Sequence, residues 1–214
     1  MKVLAYGDRS LMVEVDTTDE VIAWTSALGD AALPGVLDII PGARTVLLVT
    51  DAPERLPPLR KTVGALSPGT TTTTAEAGGA VVEVPVIYDG ADLDEVGRLT
   101  GLSTDDVVAA HTGQAWKVAF GGFAPGFAYL IGGDHRLEVP RRDESRTRVP
   151  AGAVGLAGEF SGIYPRTSPG GWQLLGHTDL PMWDVARDPP ALLRPGCVVQ
   201  FRDAGRGSGR SADG

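Results

Sequence analysis

The chain has 214 residues, 43% hydrophobic and 21% charged, the balance of an ordinary globular protein with room for one large or two small cores. A formal net charge of −8 argues against nucleic acid and anionic membrane surfaces as partners, since both require a basic face. No apolar run approaches the roughly 20 residues of a spanning helix. Residues 1–8 lack a signal-peptide core, and the single cysteine, Cys197, leaves no intramolecular disulfide, so a cytoplasmic location is expected.

In chain order, Leu11, Val13 and Val15 alternate with Met12 and Glu14 as a half-buried strand requires. Thr17 and Glu20 have capping-box spacing, and Val21, Trp24 and Leu28 recur at helical spacing before Gly29. Residues 36–40 and 45–49 predict two strands joined by a tight turn at Pro41-Gly42. Residues 51–66 predict a helix that Pro57-Pro58 weakens in its middle. These pieces assemble most simply into a small α/β, ferredoxin-like domain with a split β-α-β unit over residues 1–79. Its end is expected within residues 67–80, where Pro68-Gly69, five consecutive threonines and Ala77-Gly78-Gly79 offer no periodic apolar face and predict a linker.

A second domain is expected over residues 80–204, making the whole chain α+β. It opens with a strand at 81–87. Asp92 is placed to cap a helix carrying Leu93, Val96 and Leu99, with Gly101 as its stop. Ser103 and Asp106 form a second capping box ahead of Val107, Val108 and Ala110, and Gly113 closes that helix. Beyond it, short apolar segments broken by glycine and proline predict an all-β barrel or sandwich. Residues 205–214 are glycine, serine and charge, the composition of a disordered tail.

Chemistry-bearing residues concentrate in this second domain. Residues 111–180 hold thirteen of the 29 glycines and seven of the 19 basic residues against six acidic ones. That stretch is therefore near +1 in a strongly acidic chain, which suits an anionic ligand or an acidic partner, or simply glycines serving barrel turns with solvated arginines. The string Gly121-Gly122-Phe123-Ala124-Pro125-Gly126-Phe127-Ala128-Tyr129-Leu130 excludes regular structure over its glycines and supplies stackable rings, so it fits either a pocket wall or an aromatic plug. Arg136, Arg141, Arg142, Arg146 and Arg148 follow, suited to bidentate capture of carboxylate or phosphate, with Asp143 and Glu144 among them. In a regular strand, Gln173 and His177 would share one face, opposite Trp172. His111 ends a helix, a position that by itself favours a charged imidazole. His111, His135 and His177 lack any partner at metal-ligand spacing, so no metal site is expected. Cys197 is expected to enter a buried strand as a small apolar residue.

These strings resemble a known family. His111-Thr112, residues 122–130, Pro140-Arg141, Arg146-Thr147-Arg148-Val149-Pro150-Ala151-Gly152, Gly162-Ile163-Tyr164-Pro165 and Ser168-Pro169-Gly170-Gly171-Trp172-Gln173 are similar, in order and spacing, to the carboxyltransferase C/D-type family. That family takes in the B-type subunits of 5-oxoprolinases, the kinase inhibitor KipI and the subunit-1-type domain of allophanate hydrolase and urea carboxylase. The resemblance implies a small α/β domain followed by a cyclophilin-like β-barrel. It also implies ATP-dependent opening of 5-oxoproline to glutamate, using ATP with Mg2+ at a site shared with a partner, by a protein inactive alone. The implied partners are the C-type and A-type subunits of such a 5-oxoprolinase. A KipI-like inhibitor of a sensor histidine kinase and a component of a urea carboxylase or allophanate hydrolase system are the alternatives. The implied catalytic positions are His111, Arg141, Arg146, Arg148 and His177. The implied substrate- or nucleotide-binding positions are Phe123, Ala124, Pro125, Gly126, Phe127, Tyr129, Gly152, Tyr164, Gln173 and Thr178. The chain departs from the family pattern at His177, where arginine is common, and at Cys197, where aspartate is common.

Overall fold

A computed structural model describes residues 1–69 and 80–205, so the expected linker and tail lie almost wholly outside the described residues. The chain divides into two compact units, Met1–Ala77 and Gly78–Gly214. No helix among the described residues is long and apolar enough to cross a membrane.

The first unit runs β1 (Lys2–Tyr6), β2 (Ser10–Glu14), α1 (Thr18–Asp30), β3 (Val36–Pro41), β4 (Thr45–Thr50), a 3-10 turn (Pro53–Arg55) and α2 (Leu56–Ala65). Its antiparallel sheet has the order β1-β2-β4-β3. Leu11 and Val13 of β2 and Val46 and Leu48 of β4 face one way and bury against Val21, Trp24 and Leu28 of α1 and Leu59 and Val63 of α2. The Thr17 hydroxyl accepts the Glu20 N–H at 3.2 Å, while the Glu20 carboxylate accepts the Asp16 N–H at 2.8 Å, one residue before the usual capping-box partner. The Pro57-Pro58 pair does not weaken the middle of a helix. It lies in the first turn of α2, where the missing N–H groups would have had no helical acceptor. Strand β1 escapes the sequence reading because it is an edge strand with Leu4 and Tyr6 exposed, leaving no buried-face alternation to detect.

The second unit runs β5 (Val81–Val86), α3 (Leu93–Thr100), α4 (Thr104–Gly113), β6 (Trp116–Gly121), β7 (Ala128–Ile131), β8 (Arg146–Val149), β9 (Ala153–Ala157), β10 (Phe160–Ile163), β11 (Ser168–Gly170), β12 (Gln173–His177) and β13 (Val198–Asp203). Seven strands form one sheet in the order β12-β9-β10-β7-β6-β13-β5, and β8 pairs with β11 beside it. Ile87, just past β5, exchanges two 2.9 Å hydrogen bonds with His177 at the end of β12, so the two edges meet and the sheet nearly closes into a barrel. Val84, Leu130, Val154, Leu156, Leu175 and Phe201 fill the main core, which Val96 of α3 and Val107 and Ala110 of α4 extend. Cys197 belongs to this core, as an apolar filler. A second cluster gathers Phe127, Val149, Tyr164, Trp172 and Leu174.

His111 overturns the expectation of a charged helix-end imidazole. It is 0% exposed, stacks on Phe201 at 4.2 Å, and is hydrogen-bonded by Tyr88 Oη at Nδ1 (2.7 Å) and Ser161 Oγ at Nε2 (2.9 Å). Burial outweighs the weak helix-end field and lowers its pKa to about 3. The unfolded chain takes up this proton below about pH 6.5. Stability is therefore whole above that pH and falls as the pH drops between the unfolded and folded values. Urea midpoints at pH 8 and pH 5.5 should show this decline, and His111→Phe should flatten it while lowering stability at pH 8. An unchanged slope in the variant would assign the decline to other groups.

Candidate functional site

Two clefts in the second unit share one residue, Arg141. The smaller, about 90 Å³, is walled by Phe123, Phe127, Tyr129, Tyr164 and Trp172, with Gly170, Gly171 and Arg141 completing it. The larger, about 460 Å³, runs between Glu95, Arg98 and Leu99 of α3 and the segment Pro140, Arg141, Arg142, Asp143 and Glu144, with Gln173 also lining it.

The aromatic wall depends on the β6–β7 connection. Phe123 adopts φ 63° and Gly126 φ 85°. A Cβ on Gly126 would lie 2.8 Å from Trp183 Cβ, so glycine is required there by both conformation and space. The Phe127 N–H donates to Ala124 O at 2.9 Å and tightens the turn around Pro125. Phe127 is thereby buried edge-on against Trp172 (5.3 Å) and Tyr164 (5.5 Å), while Phe123 stays 59% exposed at the rim. The loop is thus plug and pocket wall at once. Burial raises the Tyr129 and Tyr164 phenols above their ordinary pKa, and the Arg141 charge only partly opposes this, so both remain neutral hydroxyls.

The arginines divide sharply. Arg146, expected to meet a ligand, is committed to Asp92, which is 2% exposed. Asp92 Oδ1 accepts Arg142 Nη1 and Arg146 Nη2, each at 2.7 Å, and Oδ2 accepts the Leu174 N–H at 2.7 Å. The expected helix cap is absent, because this carboxylate makes no side-chain bond to α3. Two guanidiniums and a strand amide offer stronger, charge-assisted partners than one helix N–H. Arg136 pairs with Asp134. Among the described residues the side chains of Arg141 and Arg148 have no hydrogen bond or ion pair, and Arg141, unlike Arg148, lines both of these clefts.

The remaining candidates scatter. His111 lies in the barrel core and lines neither cleft. Gln173 and His177 do not share a face. A bulge between Leu174 and Gly176 inserts one residue, so Gln173 pairs with Leu156 while His177 pairs with Ala153, an odd number of residues apart on β9. His177 instead binds Asp89 at 2.8 Å beside the barrel seam. Gly152 and Thr178 hold each other closely: the Thr178 N–H donates to Gly152 O at 3.0 Å, and a Cβ on Gly152 would collide with the Thr178 carbonyl. Sequence reasoning missed Glu95, Arg98 and the positioning role of Asp92. No local signal marks that role, because its partners are 50, 54 and 82 residues away. Among the described residues no three His, Cys, Asp or Glu side chains gather as a metal would need.

Comparison with known proteins agrees with this architecture. The B subunit of 5-oxoprolinase from Escherichia coli O157:H7 is 41% identical over 189 residues, covering 83% of each chain. Urea amidolyase of Saccharomyces cerevisiae is 39% identical over 72 residues, 31% of this chain and 4% of that protein. The crystal structure of TTHA0988 superposes with a TM-score of 0.73 at 37% identity, over 92% of this chain but only 40% of that one. The family model described as carboxyltransferase domain, subdomain C and D, matches residues 1–193, and the chain belongs to that family.

Proposed function

We propose that this chain is one component of an ATP-dependent 5-oxoprolinase complex, and that its barrel unit binds and orients the cyclic amide that is opened to glutamate. The observation that carries the reading is Arg141, an unpaired guanidinium shared by an aromatic and a polar cleft, in a chain 41% identical to the B subunit of a 5-oxoprolinase. Amide resonance makes the lactam carbonyl a poor electrophile, so the reaction needs external activation as well as a held substrate. Arg141 supplies the fork for the substrate carboxylate, and the neutral Tyr129 and Tyr164 border a wall that limits water.

ATP with Mg2+ is assigned to a site completed by another protein of the complex. The sequence has no Lys-Ser/Thr-terminated phosphate loop, and the described residues have no carboxylate cluster, which supports placing the nucleotide at a shared site. The C-type and A-type subunits of 5-oxoprolinase are the proposed partners, with the chain inactive by itself. The split β-α-β unit formed by β2, α1 and β3 supports a ferredoxin-like reading of residues 1–79, with β1 taking the edge place beside β2. The nearly closed sheet supports a cyclophilin-like reading of residues 80–204. A role in a urea amidolyase system is the second reading; its relative matches only 31% of this chain.

The test is reconstitution with both partners, following 5-oxoproline-dependent ADP and glutamate formation. Activity should vanish when this chain is omitted. Arg141→Ala should lower kcat/KM by about 100-fold with unchanged thermal stability, since a charge-assisted substrate contact is lost at an unpaired side chain. Turnover that survives omission of the chain would exclude the reading.

A further inference from the structure

A buried amide oxygen requires a hydrogen-bond donor. Among the described residues three buried side-chain polar atoms have no partner: Arg146 Nη1, Ser168 Oγ and Gln173 Oε1. Of these residues Gln173 lines the larger of the two clefts described above. It is 4% exposed, and its amide orientation is determined because Nε2 donates to Pro140 O at 3.2 Å, leaving Oε1 as the unfilled acceptor. Beside it stand Arg141, unpaired, and Arg142, held in place by Asp92. At about 460 Å³ this cleft falls within the ~300–1,000 Å³ span of small-molecule sites, whereas the aromatic cleft of about 90 Å³ does not.

We infer that the polar cleft binds a small cyclic amide bearing a carboxylate next to its ring nitrogen, with Gln173 Oε1 accepting the ring N–H and Arg141 taking the carboxylate. Resting on the 5-oxoprolinase reading, this makes Gln173 the residue that distinguishes lactam from lactone. A lactone presents a ring oxygen where the N–H stood. Two acceptors then face each other at a buried position, and a site built around a hydrogen bond rejects such an analogue strongly. Glu95, already paired with Arg98 at 2.6 Å, lines the same cleft with Asp143 and Glu144, and Arg98, Arg141 and Arg142 balance these three carboxylates.

The experiment measures equilibrium binding of 5-oxoproline, its N-methyl derivative and 5-oxotetrahydrofuran-2-carboxylate to the full chain, alone and with the partner proteins. The wild type should prefer 5-oxoproline over either analogue by about 30-fold or more. Gln173→Met, which fills the space without an acceptor, should bring the lactam-to-lactone ratio to within about threefold. Arg141→Ala should weaken lactam and lactone alike by about 10-fold and leave the ratio intact. The wild-type ligand series decides the matter even if Gln173→Met folds poorly. Equal affinity for the three ligands, no millimolar binding in either preparation, or an unchanged ratio in a folded Gln173→Met would overturn the inference. Turnover by the reconstituted complex is scored separately: a turning-over complex with no lactam preference removes the Gln173 assignment alone, and a silent complex removes the 5-oxoprolinase reading.

Discussion

Asp92→Ala is expected to lower the stability of the barrel unit by about 3 kcal/mol or more, one of the largest effects of any single truncation in this chain. The carboxylate ties together the start of α3, the segment around Arg142 and Arg146, and the start of β12 at Leu174. Its loss strands two guanidiniums and a buried N–H. Breaking a buried ion pair costs about 3–5 kcal/mol. The lower end applies here because the Arg142 and Arg146 side chains remain 34% and 23% exposed, so water can replace part of what is lost. Urea unfolding should show the fall as a shifted midpoint with the same m-value. Asp92→Asn keeps the volume and should cost less. It also isolates the charge. Burial alone would raise the Asp92 pKa, but bonds from Arg146 and the Leu174 amide, with the Arg146 and Arg142 charges, hold it below the usual carboxylate value. The stabilisation is therefore present above the unfolded pKa of about 3.9 and disappears as pH falls through the folded value. Asp92→Asn should lose that acid dependence. An Asp92→Ala chain with the wild-type midpoint would show that the cluster is surface decoration.

The same cluster changes what an Arg146 substitution means. Arg146→Ala in a reconstituted complex is expected to reduce activity through loss of folded protein, whereas Arg141→Ala acts on the ligand. Melting curves separate the two.

Gly176→Ala should open the barrel seam. A Cβ at this position would overlap the Ile87 carbonyl oxygen and lie 2.9 Å from Tyr88 Cα, both backbone atoms that no rotamer change can move aside. Overpacking costs about 1–3 kcal/mol where side chains can shift. Here the backbone must separate, and the paired hydrogen bonds between Ile87 and His177 go with it, so a loss of about 3 kcal/mol or more is expected. Hydrogen exchange reads the effect locally. The Ile87 and His177 amides should lose protection first, and wild-type protection in the variant would mean that the seam tolerates a methyl group.

Much of the architecture is legible in the amino-acid sequence because its causes are local. The Thr17 and Ser103 caps act on residues three positions away, the period-2 run at Leu11, Val13 and Val15 needs only its own strand, and the glycine–aromatic string at 121–130 declares an irregular, ring-lined loop within ten residues. Local pattern therefore places α1, α3, α4 and the strands β2 to β5, marks the second unit as β-rich, and picks out the segment that carries the aromatic rings. Tertiary structure alone decided which charged groups are free. Arg141, Arg142, Arg146 and Arg148 look alike in one dimension, and only the approach of Asp92 from fifty or more residues away pairs two of them with a buried carboxylate. It decided the face of His177 as well, through one extra residue at the β12 bulge that reverses strand parity, and the charge of His111, through burial against Phe201 that outweighs its helix-end position. Periodicity and capping are written in neighbouring residues; electrostatic partnership, register and desolvation depend on which distant segments the fold brings into contact.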